Sequence, residues 1–245
     1  TQSNPWGFGR NTRSDWAKEL DVKIWDKDNP TQYLYFVGCN GAFDERGKKI
    51  AKAVVHSLKS SGVDFSILGN DEGCTGDPAR RAGNEYLFDL LASRNAELFK
   101  EKSIIKIVTH CPHCFNSLKN EYSEFGVELD VIHHSELLAH LAKDGKEIGK
   151  GKDPGNVVYH DSCYLGRHNK IYDAPREMVA HSSKSGNVLD IDASRERGTC
   201  CGAGGGRFLL EEKTGARMSH QRLDQLMVSN PDTIAVSCPF CVLML

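Results

Sequence analysis

Nine cysteines are the residues of this 245-residue sequence most able to do chemistry, and they form a repeat. In the first copy, 33 residues separate Cys39 from Gly73-Cys74, and 36 more precede Cys111-Pro-His-Cys114. In the second copy, 36 residues separate Cys163 from Cys200-Cys201, and 36 more precede Cys238-Pro-Phe-Cys241. A repeat on this scale predicts two units of one design. The first copy has four cysteines and the second has five, with Gly73 at the position of Cys200.

This density of thiols indicates metal binding rather than disulfides. An odd number of cysteines cannot close entirely into disulfides within the chain, and no signal peptide is visible. Four thiolates could hold a zinc ion, so zinc, an empty site and a redox-active disulfide stay open for the first copy. Five thiolates are too many for one tetrahedral zinc ion, and an adjacent cysteine pair suits an iron–sulfur cluster. We therefore expect iron–sulfur clusters in both copies.

A glycine-rich segment follows the second cysteine pair. Its candidate cofactor-binding residues are Gly202, Gly204, Gly205 and Arg207. Glycine backbone can approach a cluster closely and donate N–H groups to its sulfides, and a cation would raise its reduction potential. The rival interpretation is a phosphate-binding loop, but the segment lacks the Gly-Lys-Ser/Thr ending and follows no predicted strand directly.

Several polar residues near the cysteines could tune a cluster or carry a proton. They are His110, His113, His133, His134 and His160, together with Asp77, Arg80 and Arg81. The alternative for each histidine is an ordinary hydrogen-bonded loop residue, and the alternative for the charged residues is a solvated helix start. Glu211, Glu212 and Lys213 are expected on an exposed helix face.

Strand-like and helix-like patterns alternate along the chain. Strands are predicted at 33–37, 63–68, 103–109, 128–133, 157–160, 187–191 and 233–237. Helices are predicted at 46–60, 79–100, from the 111–114 motif to about 121, at 135–143, near 175–183 and at about 207–228. This order predicts an α/β fold of two tandem similar lobes, with mainly parallel sheets flanked by helices. The cysteines lie on loops at the C-terminal ends of strands, where such loops converge.

The predicted organisation has three parts. Residues 1–32 form an N-terminal arm that contains all three tryptophans. Residues 33–150 form the first cysteine-rich repeat, and 151–245 form the second, truncated at its C-terminus. The Lys- and Gly-rich stretch 146–155 connects the repeats.

Composition narrows the function classes. Apolar residues make up 39% and charged residues 26% of the chain, and the net charge is −2, which gives no reason to expect a nucleic-acid partner. No apolar run is long enough to span a bilayer. Because the sequence begins with Thr1, we expect it to be part of a longer chain, in which a membrane anchor or a further domain could lie.

The cysteine pattern resembles the cysteine-rich CCG domain of the heterodisulfide reductase B-subunit family, C-x(31–39)-C-C-x(35–36)-C-x-x-C. The sequence motifs most resemble those of bacterial heterodisulfide reductase-related iron–sulfur proteins, which are membrane oxidoreductases linked to electron-transfer flavoprotein. The segments that carry the resemblance are 4–7 (NPWG), 74–85 (CTGDPARRAGNE), 111–122 (CPHCFNSLKNEY) and 200–207 (CCGAGGGR).

The resemblance implies a noncubane [4Fe–4S] cluster held by all five cysteines of the second copy. In the first copy, Gly73 departs from the family pattern. A [4Fe–4S] or [3Fe–4S] cluster, or less favourably a zinc ion, is therefore expected on the four cysteines of that copy. The resemblance also implies that the protein relays electrons between a flavoprotein donor and the quinone pool, as the iron–sulfur part of an oxidoreductase. Such a protein would lie on the cytoplasmic side, associated with the membrane through segments outside this chain. The alternatives are a cluster-based disulfide reductase and a structural metal-binding interaction module.

Overall fold

The computed structural model describes residues 2–149, 151–183, 188–210 and 215–245. The chain divides into two compact units, Thr1–Gly149 and Lys150–Leu245, called here the first and second unit. Within the described residues, no helix is long and apolar enough to cross a membrane.

The first unit is built on a parallel sheet of four strands. The strands are β1 (Tyr33–Phe36), β2 (Phe65–Ser66), β3 (Lys106–Thr109) and β4 (Asp130–His133), in the order β2-β1-β3-β4. The helices are α1 (Gly38–Phe43), α2 (Glu45–Ser60), α3 (Asp77–Arg81), α4 (Glu85–Glu101), α5 (Pro112–Asn120) and α6 (His134–Lys143). The central strands are almost completely buried because helices cover them, as a parallel sheet requires.

The second unit repeats this design with three strands. They are β5 (Val157–His160), β6 (Val188–Leu189) and β7 (Thr233–Val236), all parallel and in the order β6-β5-β7. The helices are α7 (Asp173–Ser182), α8 (Met218–Met227) and α9 (Pro239–Met244). In this order β6, β5 and β7 correspond to β2, β1 and β3 of the first unit. The predicted α/β fold of two similar lobes with parallel sheets is therefore confirmed.

Residues 2–32 pack on the first unit. Trp16 and Trp25 are buried, and Trp25 Nε1 donates to the Lys102 carbonyl over 3.0 Å. Ile24 forms a parallel bridge with Ile67, which continues the line of β2. A tryptophan buried with its N–H satisfied fixes the arm at this point.

The predicted helix 79–100 is wrong as a single element. It is two helices, α3 and α4, because Gly83 adopts φ +83° and Asn84 then caps α4 by accepting from the Leu87 amide over 3.0 Å. The buried face of α4 includes Phe88 and Leu91, whereas Leu90 is exposed.

The predicted helix 207–228 also differs. A 3-10 turn occupies Arg207–Leu209, and α8 begins only at Met218. The expectation for Glu211, Glu212 and Lys213 falls outside the described residues.

Candidate metal centres

The four cysteines of the first unit gather beyond the C-terminal edge of its sheet. Cys39 lies in α1, directly after β1, and Cys74 lies in the loop after β2. Cys111 is the N-cap of α5, after β3, and Cys114 lies in the first turn of that helix. All four are free thiols, 3% to 8% exposed. We call this group the first cysteine site.

The thiols of the first cysteine site are close enough to share protons. A hydrogen bond from Cys74 lowers the pKa of Cys39 to about 7, and the same contact raises the pKa of Cys74 well above its usual range. Cys111 likewise raises the pKa of Cys114, with further contributions from burial and from Cys39 and Cys74. Four thiolates this close and this buried need a positive charge among them.

The turn that presents Cys39 is fixed by Glu72. Its carboxylate accepts from the backbone amides of Val37 and Gly38, both over 2.9 Å. Gly38 has φ +76°, and a Cβ there would lie 3.0 Å from Cys114 Sγ. Only glycine therefore lets the backbone pass this close to the sulfur.

A buried arginine of the N-terminal arm reaches the first cysteine site. Arg13 pairs with Glu72 over 2.6 Å, and its two Nη atoms lie 3.5 and 3.6 Å from Cys39 Sγ. Arg13 Nε is buried without a hydrogen-bond partner in the described part of the chain. Neither Arg13 nor Glu72 was predicted from the sequence.

The five cysteines of the second unit form the second cysteine site. Cys163 follows β5, Cys200 and Cys201 follow β6, and Cys238 and Cys241 begin α9 after β7. The Sγ atoms of Cys201 and Cys241 are 3.2 Å apart, and all five are free thiols. Cys163 and Cys200 are partly exposed, unlike the cysteines of the first site.

Proton sharing links the five sulfurs in one series. Hydrogen bonds from Cys163 and then Cys201 lower the pKa of Cys200. The hydrogen bond between Cys201 and Cys200 raises the pKa of Cys201 to about 12. Hydrogen bonds to Cys201 and Cys238 raise the pKa of Cys241. The structure thus brings together the cysteines that the repeat predicts, in two separate groups.

His160 and Arg222 lie beside the second cysteine site. Arg222 Nε donates to His160 Nδ1 over 3.0 Å, and a ring nitrogen of His160 lies within 4.8 Å of the Cys201 and Cys241 sulfurs. Burial, followed by the Arg222 charge, lowers the pKa of His160 to about 4. His160 Nε2 and Arg222 Nη2 are buried without hydrogen-bond partners among the described residues.

These buried donors test whether an inorganic cluster fits. A buried N–H without an acceptor costs free energy, so such groups are rare unless an unseen partner satisfies them. Here Arg13 contacts Cys39 and the His160 ring lies near Cys201 and Cys241, so these residues adjoin buried thiols that would need positive charge once deprotonated. A metal–sulfide core would supply both acceptor sulfides and positive iron, so the residues of both sites fit it.

In the glycine segment, the backbone amides of Gly202 and Ala203 bond to cysteine sulfurs, Ala203 to that of Cys201. The Gly202 amide donates to Cys200 Sγ over 3.2 Å, and Gly202 has φ +89°. Gly204 is half-buried, whereas Gly205 and Arg207 are exposed. The role proposed for Arg207 and for Gly204 and Gly205 as cofactor ligands stays a prediction.

Most of the other predicted polar residues have local partners. His113 Nδ1 bonds Asp77 over 2.8 Å, and Arg81 binds the same carboxylate over 3.1 Å, so Asp77 is a buried ion-pair centre rather than a solvated helix start. Arg80 lies over the Phe88 ring.

The remaining histidines of the first unit, His110, His133 and His134, lie near one another. His133 caps α6, and its Nε2 donates to the His110 carbonyl over 3.3 Å. His110 Nδ1 bonds the Tyr35 hydroxyl over 2.8 Å, and His134 lies against the His133 ring.

Comparison with known proteins agrees with this geometry. A family model described as "Cysteine-rich domain" (CCG) matches residues 33–119 and 157–245. The chain is 43% identical over 251 residues to the "Probable iron-sulfur-binding oxidoreductase FadF" of Bacillus subtilis, covering 100% of this chain and 36% of that protein. It is 43% identical over 255 residues to the "EtfAB:quinone oxidoreductase" of Syntrophomonas wolfei, covering 99% and 35%.

An archaeal relative is more distant. A dihydromethanophenazine:CoB--CoM heterodisulfide reductase component of Methanosarcina mazei is 33% identical over 244 residues, covering 97% of this chain and 58% of that protein. The chain therefore spans about a third of the length of the two bacterial relatives and somewhat over half of this one.

Proposed function

Because this chain belongs to the cysteine-rich CCG domain family, we propose that it is the iron–sulfur electron-transfer module of a respiratory-type oxidoreductase. The observation that carries the proposal is the gathering of nine free thiols into two groups lined by unsatisfied N–H donors of the described residues. Each repeat, 33–150 and 151–245, would hold one cluster, with residues 1–32 as an arm. A bound cluster would supply one-electron oxidation and reduction.

The second cysteine site would hold a noncubane [4Fe–4S] cluster on five thiolates. Its ligands would be Cys163, Cys200, Cys201, Cys238 and Cys241. Five sulfurs exceed the four that a tetrahedral ion takes, which supports a multinuclear cluster. The Gly202 amide already points at one of these sulfurs, and such hydrogen bonds tune reduction potential.

The first cysteine site would hold a four-thiolate cluster, [4Fe–4S] or [3Fe–4S], on Cys39, Cys74, Cys111 and Cys114. Support comes from Gly73, because a Cβ at this residue would lie 2.8 Å from Asn95 Oδ1. A fifth cysteine at this position would therefore require the Asn95 side chain to move. Arg13 would stabilise the negative cluster. Zinc is the less favoured occupant.

The proposed partners are a flavoprotein electron donor and a quinone-linked acceptor. The support is the name of the relative from S. wolfei and its 43% identity. Since that relative is about three times longer, these partners would also involve regions that this chain does not contain. We propose the cytoplasmic side of a membrane as its place, with attachment through such regions.

Disulfide reduction at the second cysteine site is the second candidate. The partial exposure of Cys163 and Cys200 favours it, because a substrate could reach the cluster there. The name of the M. mazei relative supports the same chemistry. A relay would not turn over a disulfide substrate, so steady-state disulfide reduction separates the two. A third alternative, a structural zinc module for interaction, would give a colourless protein.

The decisive experiment is anaerobic iron and acid-labile sulfide analysis with electron paramagnetic resonance (EPR) on the purified chain. We expect two distinguishable centres. Cys201→Ser should remove or alter one centre, and Cys74→Ser the other, with each leaving its neighbour intact. Purified chain without sulfide, or with zinc alone in both sites, contradicts the proposal.

A further inference from the structure

The two units differ in a coordinated way at positions that match in the repeat. Arg222 follows Cys201 by 21 residues, as Asn95 follows Cys74, and His160 precedes Cys163 by three residues, as Phe36 precedes Cys39. The sheets agree with this match, because Phe36 pairs with Thr109 and His160 with Val236. The matched pairs are Gly73 with Cys200, Asn95 with Arg222 and Phe36 with His160. At these matched positions, the unit with the extra cysteine therefore carries a buried arginine and a buried histidine that the other unit lacks there.

Arg222 and His160 form one buried couple in the second unit. Arg222 is 0% exposed and is held by the Ala193 carbonyl over 2.7 Å and by Gln225 over 3.0 Å. Its Nε donates to His160 Nδ1 over 3.0 Å. Its Nη2 has no hydrogen-bond partner in the described ranges, so one nitrogen of a buried cation has no acceptor there.

The arginine decides where the imidazole carries its proton. A guanidinium N–H can only donate, so His160 Nδ1 accepts with its lone pair and the ring proton lies on Nε2. Since Nδ1 is occupied by Arg222, Nε2 is the nitrogen able to donate, and the ring has a nitrogen within 4.8 Å of the Cys201 and Cys241 sulfurs. A protonated Nε2 donates a hydrogen bond and cannot coordinate a metal. His160 is therefore a donor toward the second cysteine site rather than a sixth ligand.

The first unit has a neutral arrangement at the same positions. Asn95 Nδ2 donates to the Cys74 carbonyl over 2.9 Å and to the Tyr122 hydroxyl over 3.1 Å, and Asn95 Oδ1 lies 2.8 Å from the position that a Cβ at Gly73 would take. Phe36 packs edge to face on Phe99. This unit has neither a fifth cysteine nor a cation at the matching positions.

We propose that Arg222 and His160 are the counter-charge and the N–H donor that the five-thiolate site requires, so that Cys200, Arg222 and His160, which all differ from their matches in the first unit, together specify the second cluster. A fifth thiolate adds negative charge to a group that contains the buried Cys201 and Cys241, and such charge is unfavourable unless a cation compensates it. Arg222 supplies that charge and fixes the His160 tautomer, whose N–H stabilises the reduced and more negative cluster. The inference rests on the proposed function, because it needs a cluster at the second cysteine site.

Arg222→Met in the full chain tests the charge, and Arg222→Lys tests whether charge alone is sufficient. Asn95→Met is the matched control, because it changes the equivalent position of the first unit. We expect R222M to lower the reduction potential of the second centre in EPR-monitored titration or to abolish its signal, with the first centre unchanged. R222K should restore the potential in part, and N95M should leave the second centre at its wild-type potential.

His160→Phe tests the donor with the side chain that the first unit already carries at this position. We expect the second centre to keep its iron and sulfide and to titrate at a lower potential. Pulsed EPR of the wild type should show no strongly coupled nitrogen, whereas a ligating His160 would show one and would overturn the inference. This variant also replaces R222M if R222M does not fold, as judged by far-UV circular dichroism.

The failures are distinguishable. Wild-type protein without sulfide at the second cysteine site contradicts the proposed function itself. Two intact clusters whose potentials and spectra are the same in wild type, R222M and H160F overturn only the inference about Arg222 and His160.

Discussion

Replacing Arg13 by methionine should destabilise the first unit far more than an ordinary surface charge deletion. Arg13 and Glu72 are paired over 2.6 Å, and each side chain is only 3% exposed. Methionine keeps the apolar length of the side chain but removes the cation. Glu72 then remains buried as an uncompensated carboxylate, because its other hydrogen bonds are from the neutral amides of Val37 and Gly38.

The expected size follows from the burial of the pair. Removing one partner of a buried ion pair costs roughly 3–5 kcal/mol, whereas an exposed pair contributes about 0–1 kcal/mol. Lys23→Met is the matched control, because Lys23 is also in the arm and pairs with Asp64 over 3.0 Å, but the two side chains are 70% and 53% exposed. Glu72→Gln combined with R13M removes both charges, so the double variant should cost less than the sum of the two single variants.

Urea unfolding under anaerobic conditions, followed by tryptophan fluorescence, measures the effect. All three tryptophans lie in residues 1–32, so the signal reports on the arm and its packing on the first unit. If R13M lowers the free energy of unfolding no more than K23M does, Glu72 is not left uncompensated and the reasoning is wrong.

Three further outcomes are expected. Gly73→Cys should lower the thermal midpoint without adding iron per chain, because the new Cβ would lie 2.8 Å from Asn95 Oδ1. Combining it with Asn95→Ser should recover part of the loss, and extra iron in G73C alone would contradict this expectation. Arg176→Met should lower the free energy of unfolding by roughly 3–5 kcal/mol, because Arg176 binds both oxygens of the buried Asp161 at 2.6 and 2.7 Å. The control is Arg195→Met, which removes an exposed ion pair and should lower it by about 0–1 kcal/mol. Urea unfolding followed by circular dichroism measures both, and equal losses would refute the argument. Anaerobic removal of iron by a chelator should lower the thermal midpoint in calorimetry, because metal binding to the folded thiols stabilises the fold; an unchanged midpoint contradicts a folded-state cofactor.

The cysteine sites were predictable because two regularities coincide in the sequence. Each group of cysteines lies at or beyond the end of a short apolar run, and the C-terminal ends of parallel strands meet at one edge of a sheet. The helix break before α4 was missed, since the leucines that indicated the helix all lie after Gly83 and do not show where that helix begins. Gly83 and Asn84 carry the stop and start signals, but an apolar pattern alone does not reveal them.

The charged residues around the sites were harder to predict. Arg13 and Glu72 are 59 residues apart, and no periodicity connects an irregular arm to a loop before Cys74. Arg222 did carry a signal, because it lies one helical turn before the fully buried Leu226 on the same face of α8. A cation on the buried face of an amphipathic helix needs a counter-charge, and the acidic groups that act on Arg222 are Asp161, Cys241 and Cys201.

The unequal exposure of the two cysteine sites has a consequence for anyone who purifies this protein. Dioxygen dissolved in the buffer can collide directly with Cys163 and Cys200, which are partly open to solvent. It reaches Cys39, Cys74, Cys111 and Cys114 only when the protein opens locally, because those sulfurs belong to residues at most 8% exposed. Damage by air is therefore expected to begin in the second unit. The time that a sample spends outside an anaerobic chamber should determine whether the signal of the second cysteine site is still present in its spectrum.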